Sequence, residues 1–426
     1  MHVCTRPAFC SMDNKEERKQ FLDRNYRRNY LSFLSEGFLY SFAFYLFSVT
    51  NVFPDYVSRL SPDPIVLSLL SLLFYGPNYL ASIISCWLSM NSLASPKRLG
   101  VTVCFTQRIG LVLITLSSFL IGRTSVSACL ICFFGAYLLF NIADGVSAPT
   151  YFYMASTMIH KNIGTFFGTY NMVGSISGVL ASILLTYLYN ARKYPENYQL
   201  MFSIGVVFAL ASSAAIAFGT REYHEQKAPG EKVKWRDIPS MMKKSISGND
   251  QFRYYILIYV ILGAAEFAMP MYSVRLAQQR NLPENFIGMM SLISLIASVA
   301  ANWIWGRLSD RKGLFMVLAL SSASGILASS LTILNFGGIF NYFAYLMLAF
   351  ASAGSYITNN VACTIYAEDG NSTVLTSASK LCAAPVLIFA SVGSGLLAQL
   401  TSITAVFIIA LISYVICTLL AVRKIK

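Results

Sequence analysis

The sequence predicts an all-α polytopic membrane protein of twelve transmembrane helices in two six-helix halves. Three observations predict it. First, the chain of 426 residues is 56% hydrophobic and only 12% charged, about half the charge expected of a soluble protein of this size. Second, the apolar residues fall into twelve runs, most of them long enough, at roughly 1.5 Å per residue, to cross a hydrocarbon core of about 30 Å. Third, one long polar stretch, 220–251, divides those runs six and six.

Taken in order, residues 1–29 form a polar, basic arm with no apolar core of the secretory type. The predicted spans are 30–54, 64–90, 99–121, 127–155, 163–189 and 198–219 in the first half. In the second half (252–426) they are 252–275, 286–305, 314–334, 339–362, 374–400 and 403–422. Stretch 220–251 carries seven Lys or Arg and reads as a basic linker. The basic residues set the expected orientation. With the N-terminus inside, inner segments hold 23 of the 32 Lys and Arg. Outer segments hold six, namely Arg59, Arg123, Arg192, Lys193, Arg275 and Arg280. This bias places both termini in the cytoplasm, with the plasma membrane the expected location. It also accounts for most of the net charge of +13 without a nucleic-acid partner.

Eight residues between the eighth and ninth spans read Gly306-Arg307-Leu308-Ser309-Asp310-Arg311-Lys312-Gly313. Two glycines suit close helix packing and a tight turn. Asp310 suits the positive N-terminal end of a neighbouring helix, and the cations suit an inner loop. The pattern Gly-x-x-x-Asp-Arg-x-Gly, at this helix count, resembles the loop signature of the major facilitator superfamily. The twelve-span layout extends the resemblance over about 30–423. It implies a fold of two pseudo-symmetric halves and a secondary carrier working by alternating access. In that family the loop abuts the start of the fifth helix, here near 162–164, so Gly306, Asp310, Arg311 and Gly313 are expected to form a conformational switch. The first half departs from the pattern. Stretch 85–98 keeps only Lys97-Arg98, without the Gly or Asp, so the corresponding lock should be weak or rebuilt. The fourth span lacks the family's Arg and carries Asp144. The fifth reads Gly174-Ser175-Ile176-Ser177-Gly178 without the Pro of drug antiporters.

Ionisable residues inside a membrane are costly and mark functional candidates. Five stand out: Glu36, Arg108, Asp144, Glu266 and Lys380. Asp144, Glu266 and Lys380 each precede a proline by four or five residues (Pro149, Pro270, Pro385), and a proline frees the carbonyl four residues back. Glu266 is expected to carry a proton or to pair with Lys380. Asp144 is expected to pair with Arg108 or to meet the solute. Lys380 is expected to pair, to reach the cytoplasm, or to bind an anionic group. Glu36, near the start of its span, reads as interfacial. Tyr45, Asn51, Asn171 and Asn302, with Asn78, are expected to line a cavity or to bond helix to helix.

The expectation is a carrier of a small solute, coupled to a proton or cation, with a lean to uptake of a polar solute. Efflux of amphipathic or cationic compounds is the alternative, and a non-transporting receptor or scaffold a third. No phosphate-binding loop is present, and only 220–251, with one His, is long enough for a catalytic loop. An enzyme is therefore not expected, nor a cofactor or metal. The expected partners are the lipid bilayer, the solute and the coupling ion, and the expected state is a monomer.

Overall fold

In the computed structural model the described residues are almost all helical. The structure describes residues 12–49, 52–61, 63–92, 94–223, 233–268, 271–272, 275, 286–335, 337, 339–367 and 372–425. The helices are α1 (Met12–Leu46), α2 (Val52–Leu60), α3 (Pro64–Asn91), α4 (Pro96–Ser118), α5 (Val126–Met158), α6 (Ile163–Ala191) and α7 (Glu196–Gly219). After the linker helix α8 (Ile238–Gly248) come α9 (Asp250–Gly263), α10 (Phe286–Lys312), α11 (Leu314–Leu334), α12 (Ile339–Ile365), α13 (Ser372–Leu400) and α14 (Ile403–Val422). Among the described residues eight helices are long and apolar enough to cross a membrane by composition alone. Segments α1, α3, α12 and α9, the last with its 3-10 extension Ala264–Ala268, fill the remaining places of the twelve-helix fold. Large apolar side chains such as Phe218, Ile131 and Ile183 point outward, as lipid-facing residues of a multi-pass protein do.

Three boundaries depart from the sequence expectation. The first span breaks after Leu46, and Val52–Leu60 forms a separate amphipathic helix. Its Val52, Phe53, Tyr56 and Val57 are buried in an aromatic core with Phe47, Phe133 and Phe202. The loop signature is no loop at its start: α10 runs on through Lys312, and Gly313, at φ +83°, makes the turn into α11 by itself. The linker is more than a basic connector. Its α8 buries Ile238 and Met242 against Cys86 of α3 and Val374 and Ala378 of α13.

The last feature lies beside the stretch where the first-half signature is incomplete. Asn91, at the end of α3, donates through Nδ2 to the Val233 carbonyl (3.1 Å) and accepts from the Val233 N–H (2.8 Å). Trp87 and Trp235 meet edge to face at 6.3 Å. The linker thus seals the seam between α3 and α13, which belong to opposite halves. Ile238→Ala removes about 2–4 kcal/mol of buried packing. Trypsin is expected to cut beside the exposed Lys243 and Lys244 at least about tenfold faster in that variant. An unchanged cutting rate would show that the strap is not held by this contact.

A second contact joins the halves where α6 meets α10. Asn162, ahead of α6, lies in the left-handed region (φ 50°) and makes no side-chain cap. Asp310 supplies the cap from the other half: its carboxylate accepts from the N–H groups of Gly164 (2.8 Å) and Thr165 (2.7 Å). A carboxylate there satisfies two orphan donors and meets the positive helix end. The helices approach closely enough for this because both lack side chains at the crossing. A Cβ on Gly168 would lie 2.5 Å from the Asn302 carbonyl oxygen, and one on Gly306 would lie 2.7 Å from the Gly164 carbonyl oxygen. Arg311 is exposed in the last turn of α10.

Six hydrogen bonds that link the halves lie between mid-depth and the end carrying the chain termini. They are Asp310 to Gly164 and Thr165, Asn302 to Ser175, Ser377 to Ser82, Ser156 with Ser372, and Lys380 to Asn78. Each half also has an apolar core of its own, that of the first half toward the other end and that of the second half reaching from α9 and α11 to the end of α14. The structure is therefore closed at the terminal end. At that end Asp23 of α1 meets Lys161 and His160, and these two, Lys161 foremost, hold its carboxyl below the ordinary range.

Candidate functional site

The seam between the halves holds a cavity of about 730 Å³ at mid-depth, lined by both. Prolines interrupt three of the helices around it, Pro77 in α3, Pro149 in α5 and Pro385 in α13. Small residues bring the walls together. A Cβ on Gly145 would sit 2.0 Å from the Asn78 carbonyl oxygen, so α3 lies directly against α5. A Cβ on Gly110 would sit 2.7 Å from the Phe140 Cα, which sets α4 equally close to α5. These approaches put Asn78, Gln107 and Asp144 within bonding reach of one another.

The polar groups form one chain across the cavity wall. Glu36, 2% exposed, accepts from Arg108 Nη2 (3.2 Å), from the Tyr151 hydroxyl (2.6 Å) and from the Tyr170 hydroxyl (3.2 Å). Arg108 also donates to Ser212 Oγ (3.1 Å) and to Gln107 Oε1, and its guanidinium lies over the Tyr40 ring at 4.2 Å. The Gln107 amide then donates to Asp144 Oδ1 and to the Tyr40 hydroxyl (2.6 Å). Asp144 Oδ2 accepts from Asn78 Nδ2 (2.6 Å). Asn78 Oδ1 accepts from Lys380 Nζ (3.2 Å), which reaches in from α13 of the other half. Charged groups alternate in sign along the chain, and an amide stands on each side of Asp144.

Several expectations change here. Arg108 pairs with Glu36 and not with Asp144, because Gln107 stands between them. Glu36 is not interfacial but among the most buried charges, since α1 begins at Met12 and carries residue 36 well into the bundle. Lys380 pairs with neither Glu36 nor the cytoplasm; it lines the cavity, with its ammonium 5.7 Å from the Tyr79 ring. Tyr45, Asn171 and Asn302 line the cavity. Asn302 also donates to Ser175 Oγ (3.4 Å) across the seam, and Tyr45 packs against Gly178. The backbone of Glu266 lies in the 3-10 segment Ala264–Ala268, but its side chain, like Asn51 and Pro270, lies outside the described residues.

Sequence reading missed Gln107, Tyr40, Tyr151 and Tyr170 as partners. The one local signal was Gln107 beside Arg108, two polar residues together in an apolar span. The tyrosines carried none, because aromatic residues are common in membrane helices.

Comparison with known proteins gives a consistent picture. The family model of the Major Facilitator Superfamily matches residues 33–384. No curated protein matches significantly in sequence. Among solved structures, the fucose:proton symporter FucP of E. coli is similar at TM-score 0.72 and 14% identity, over 93% of this chain and 98% of that one. A bacterial homologue of the iron transporter ferroportin, in an outward-facing state, is similar at TM-score 0.71 and 13% identity, over 93% and 98%. The proton:xylose symporter XylE is similar at TM-score 0.64 and 14% identity, over 94% and 96%.

Proposed function

The chain belongs to the major facilitator superfamily, and on that premise we propose that it takes up a small polar solute together with a proton, binding both in the central cavity. One observation carries the reading. Asp144 faces the cavity and is held by two neutral amides, Gln107 and Asn78, rather than by a cation. A carboxylate so placed changes charge without breaking an ion pair. Through Gln107 it is connected to the Arg108–Glu36 pair, and through Asn78 to Lys380 of the opposite half.

Protonation of Asp144 therefore acts on a bond between the halves. The charged carboxylate fixes the Asn78 amide with its nitrogen toward Asp144 and its oxygen toward Lys380. The protonated form is itself a donor and loosens that order. A change of this kind, coupled to opening at Asp310 and the linker strap, gives alternating access a chemical trigger. With the basic segments in the cytoplasm, the terminal end is the inner gate, and the present state faces outward. Abundant Asn, Ser and Tyr side chains on the wall favour a polar solute over an amphipathic one.

Thermal stability of the purified protein, screened against sugars, organic acids, nucleosides, amino acids and lipophilic cations, tests the reading. A ligand at a hundredfold excess over Kd adds about 2.7 kcal/mol. The expected result is a polar hit whose effect varies with pH in the native chain and loses that variation in Asp144→Asn. A hit with the same pH dependence in both proteins would remove Asp144 from the coupling role, and a lipophilic-cation hit would replace uptake with efflux.

A further inference from the structure

We propose that the solute is an organic anion carried with one proton, its anionic group taking Lys380 in place of the Asn78 amide when Asp144 is protonated. This rests on the carrier reading above and adds the charge of the solute. The inference comes from counting charge on the cavity wall. Glu36 and Arg108 neutralise each other directly at 3.2 Å. What is left among the described residues is one carboxylate and one ammonium, Asp144 and Lys380, with no direct ion pair between them. Asn78 stands in the gap, giving its nitrogen to one and its oxygen to the other.

Lys380 is accordingly a cation with uncharged described neighbours, an amide oxygen at 3.2 Å and the Tyr79 ring at 5.7 Å. An ammonium has three donors, and a carboxylate, phosphate or sulfonate makes a stronger, charge-assisted partner than an amide. While Asp144 is ionised it neutralises this end of the wall across Asn78, and an arriving anion meets a nearby negative charge. Once Asp144 is protonated, Lys380 is the uncompensated charge among the described residues of the wall, which are then short of one negative charge. An anion restores the balance and a neutral or cationic solute does not. Anion and proton thus favour each other's binding, which is the requirement for symport.

The groups facing Asp144 are consistent with this role. Tyr40 of α1, Cys104 of α4, Tyr137 of its own helix, Tyr356 of α12 and Lys380 of α13 lie within its electrostatic reach. Arg108, through Gln107, and Glu36 behind it lie along the same chain of bonds. Lys380 is the one cation among them that is not matched by its own carboxylate. The solute would also bridge the halves, since Lys380 belongs to the second half and Asn78 and Asp144 to the first.

The test uses the full chain in proteoliposomes and two sets of probes, each with one skeleton in three charges: gluconate, glucose and glucosamine, then benzoate, benzyl alcohol and benzylamine. An inward proton gradient is expected to drive uptake of an anionic member. A membrane potential clamped with potassium and valinomycin is expected to leave its rate unchanged, because an anion with one proton moves no net charge. A neutral solute with a proton would carry one charge and respond to the potential. Binding of the anionic probe is expected to tighten up to about tenfold per unit fall in pH. Asp144→Asn should keep binding and lose that slope, whereas Lys380→Gln should weaken it at least about tenfold while still responding to pH. Uptake confined to glucose, glucosamine or the benzyl alcohol and amine would overturn the anion while leaving a carrier standing. Potential-driven uptake of the anion, or no anionic member bound at any pH, would overturn it as well. Uptake indifferent to pH for every probe would instead sink the proton-coupled reading beneath it.

Discussion

Arg108→Leu is expected to destabilise the protein by about 3–5 kcal/mol, the cost of leaving a buried charge without its partner. Glu36 is 2% exposed and keeps two tyrosine hydroxyls after the substitution. These satisfy its lone pairs but not its charge. The guanidinium also holds Gln107 and Ser212 and covers the Tyr40 ring, so its loss disturbs the whole first-half network. The sign is checked by a double variant. Glu36→Gln on top of Arg108→Leu removes the orphaned charge and should restore most of the lost stability. Thermal unfolding of the two single variants and the double variant in one detergent closes the cycle. A double variant no more stable than Arg108→Leu would mean that the pair contributes packing rather than charge compensation.

Asp310→Asn is expected to weaken the contact between the halves at the terminal end without touching the cavity. The carboxylate accepts two backbone N–H bonds at 2.8 and 2.7 Å from the start of α6. An amide offers one oxygen, so one N–H loses its partner and the interaction with the helix end loses its charge. The two effects together cost about 1–3 kcal/mol. Because the bonds join the halves, that energy is removed from the closed state, and its population relative to the open state falls by about 5- to 150-fold. Labels at Lys161→Cys and Lys312→Cys, both exposed and on opposite halves, report the distance across the gate. A longer separation and slower transport, with solute binding retained, is the expected outcome. An unchanged distance distribution would mean that Gly168 and Gly306 hold the gate without the cap.

The sequence by itself determined most of the helical spans and the membrane setting, and the resemblance carried by its loop motif implied the contact made by Asp310. The spans and the setting follow from hydropathy and length, which are local properties of the chain. It also marked Asp144, Arg108 and Lys380 as charges inside the membrane, since a charge in an apolar run is conspicuous wherever it points. What only the tertiary structure decided is who meets whom. Arg108 lies nearest Asp144 in span order, yet it pairs with Glu36 of α1, because the rotation of each helix about its axis selects the partner and hydropathy does not record that rotation. Asn78 took the position between Asp144 and Lys380 for the same reason, through the approach of α3 to Gly145. The linker looked like a basic connector because two buried side chains, Ile238 and Met242, are too few to shift its composition. Their burial exists only once α3 and α13 are side by side, and no segment of the chain carries that information alone.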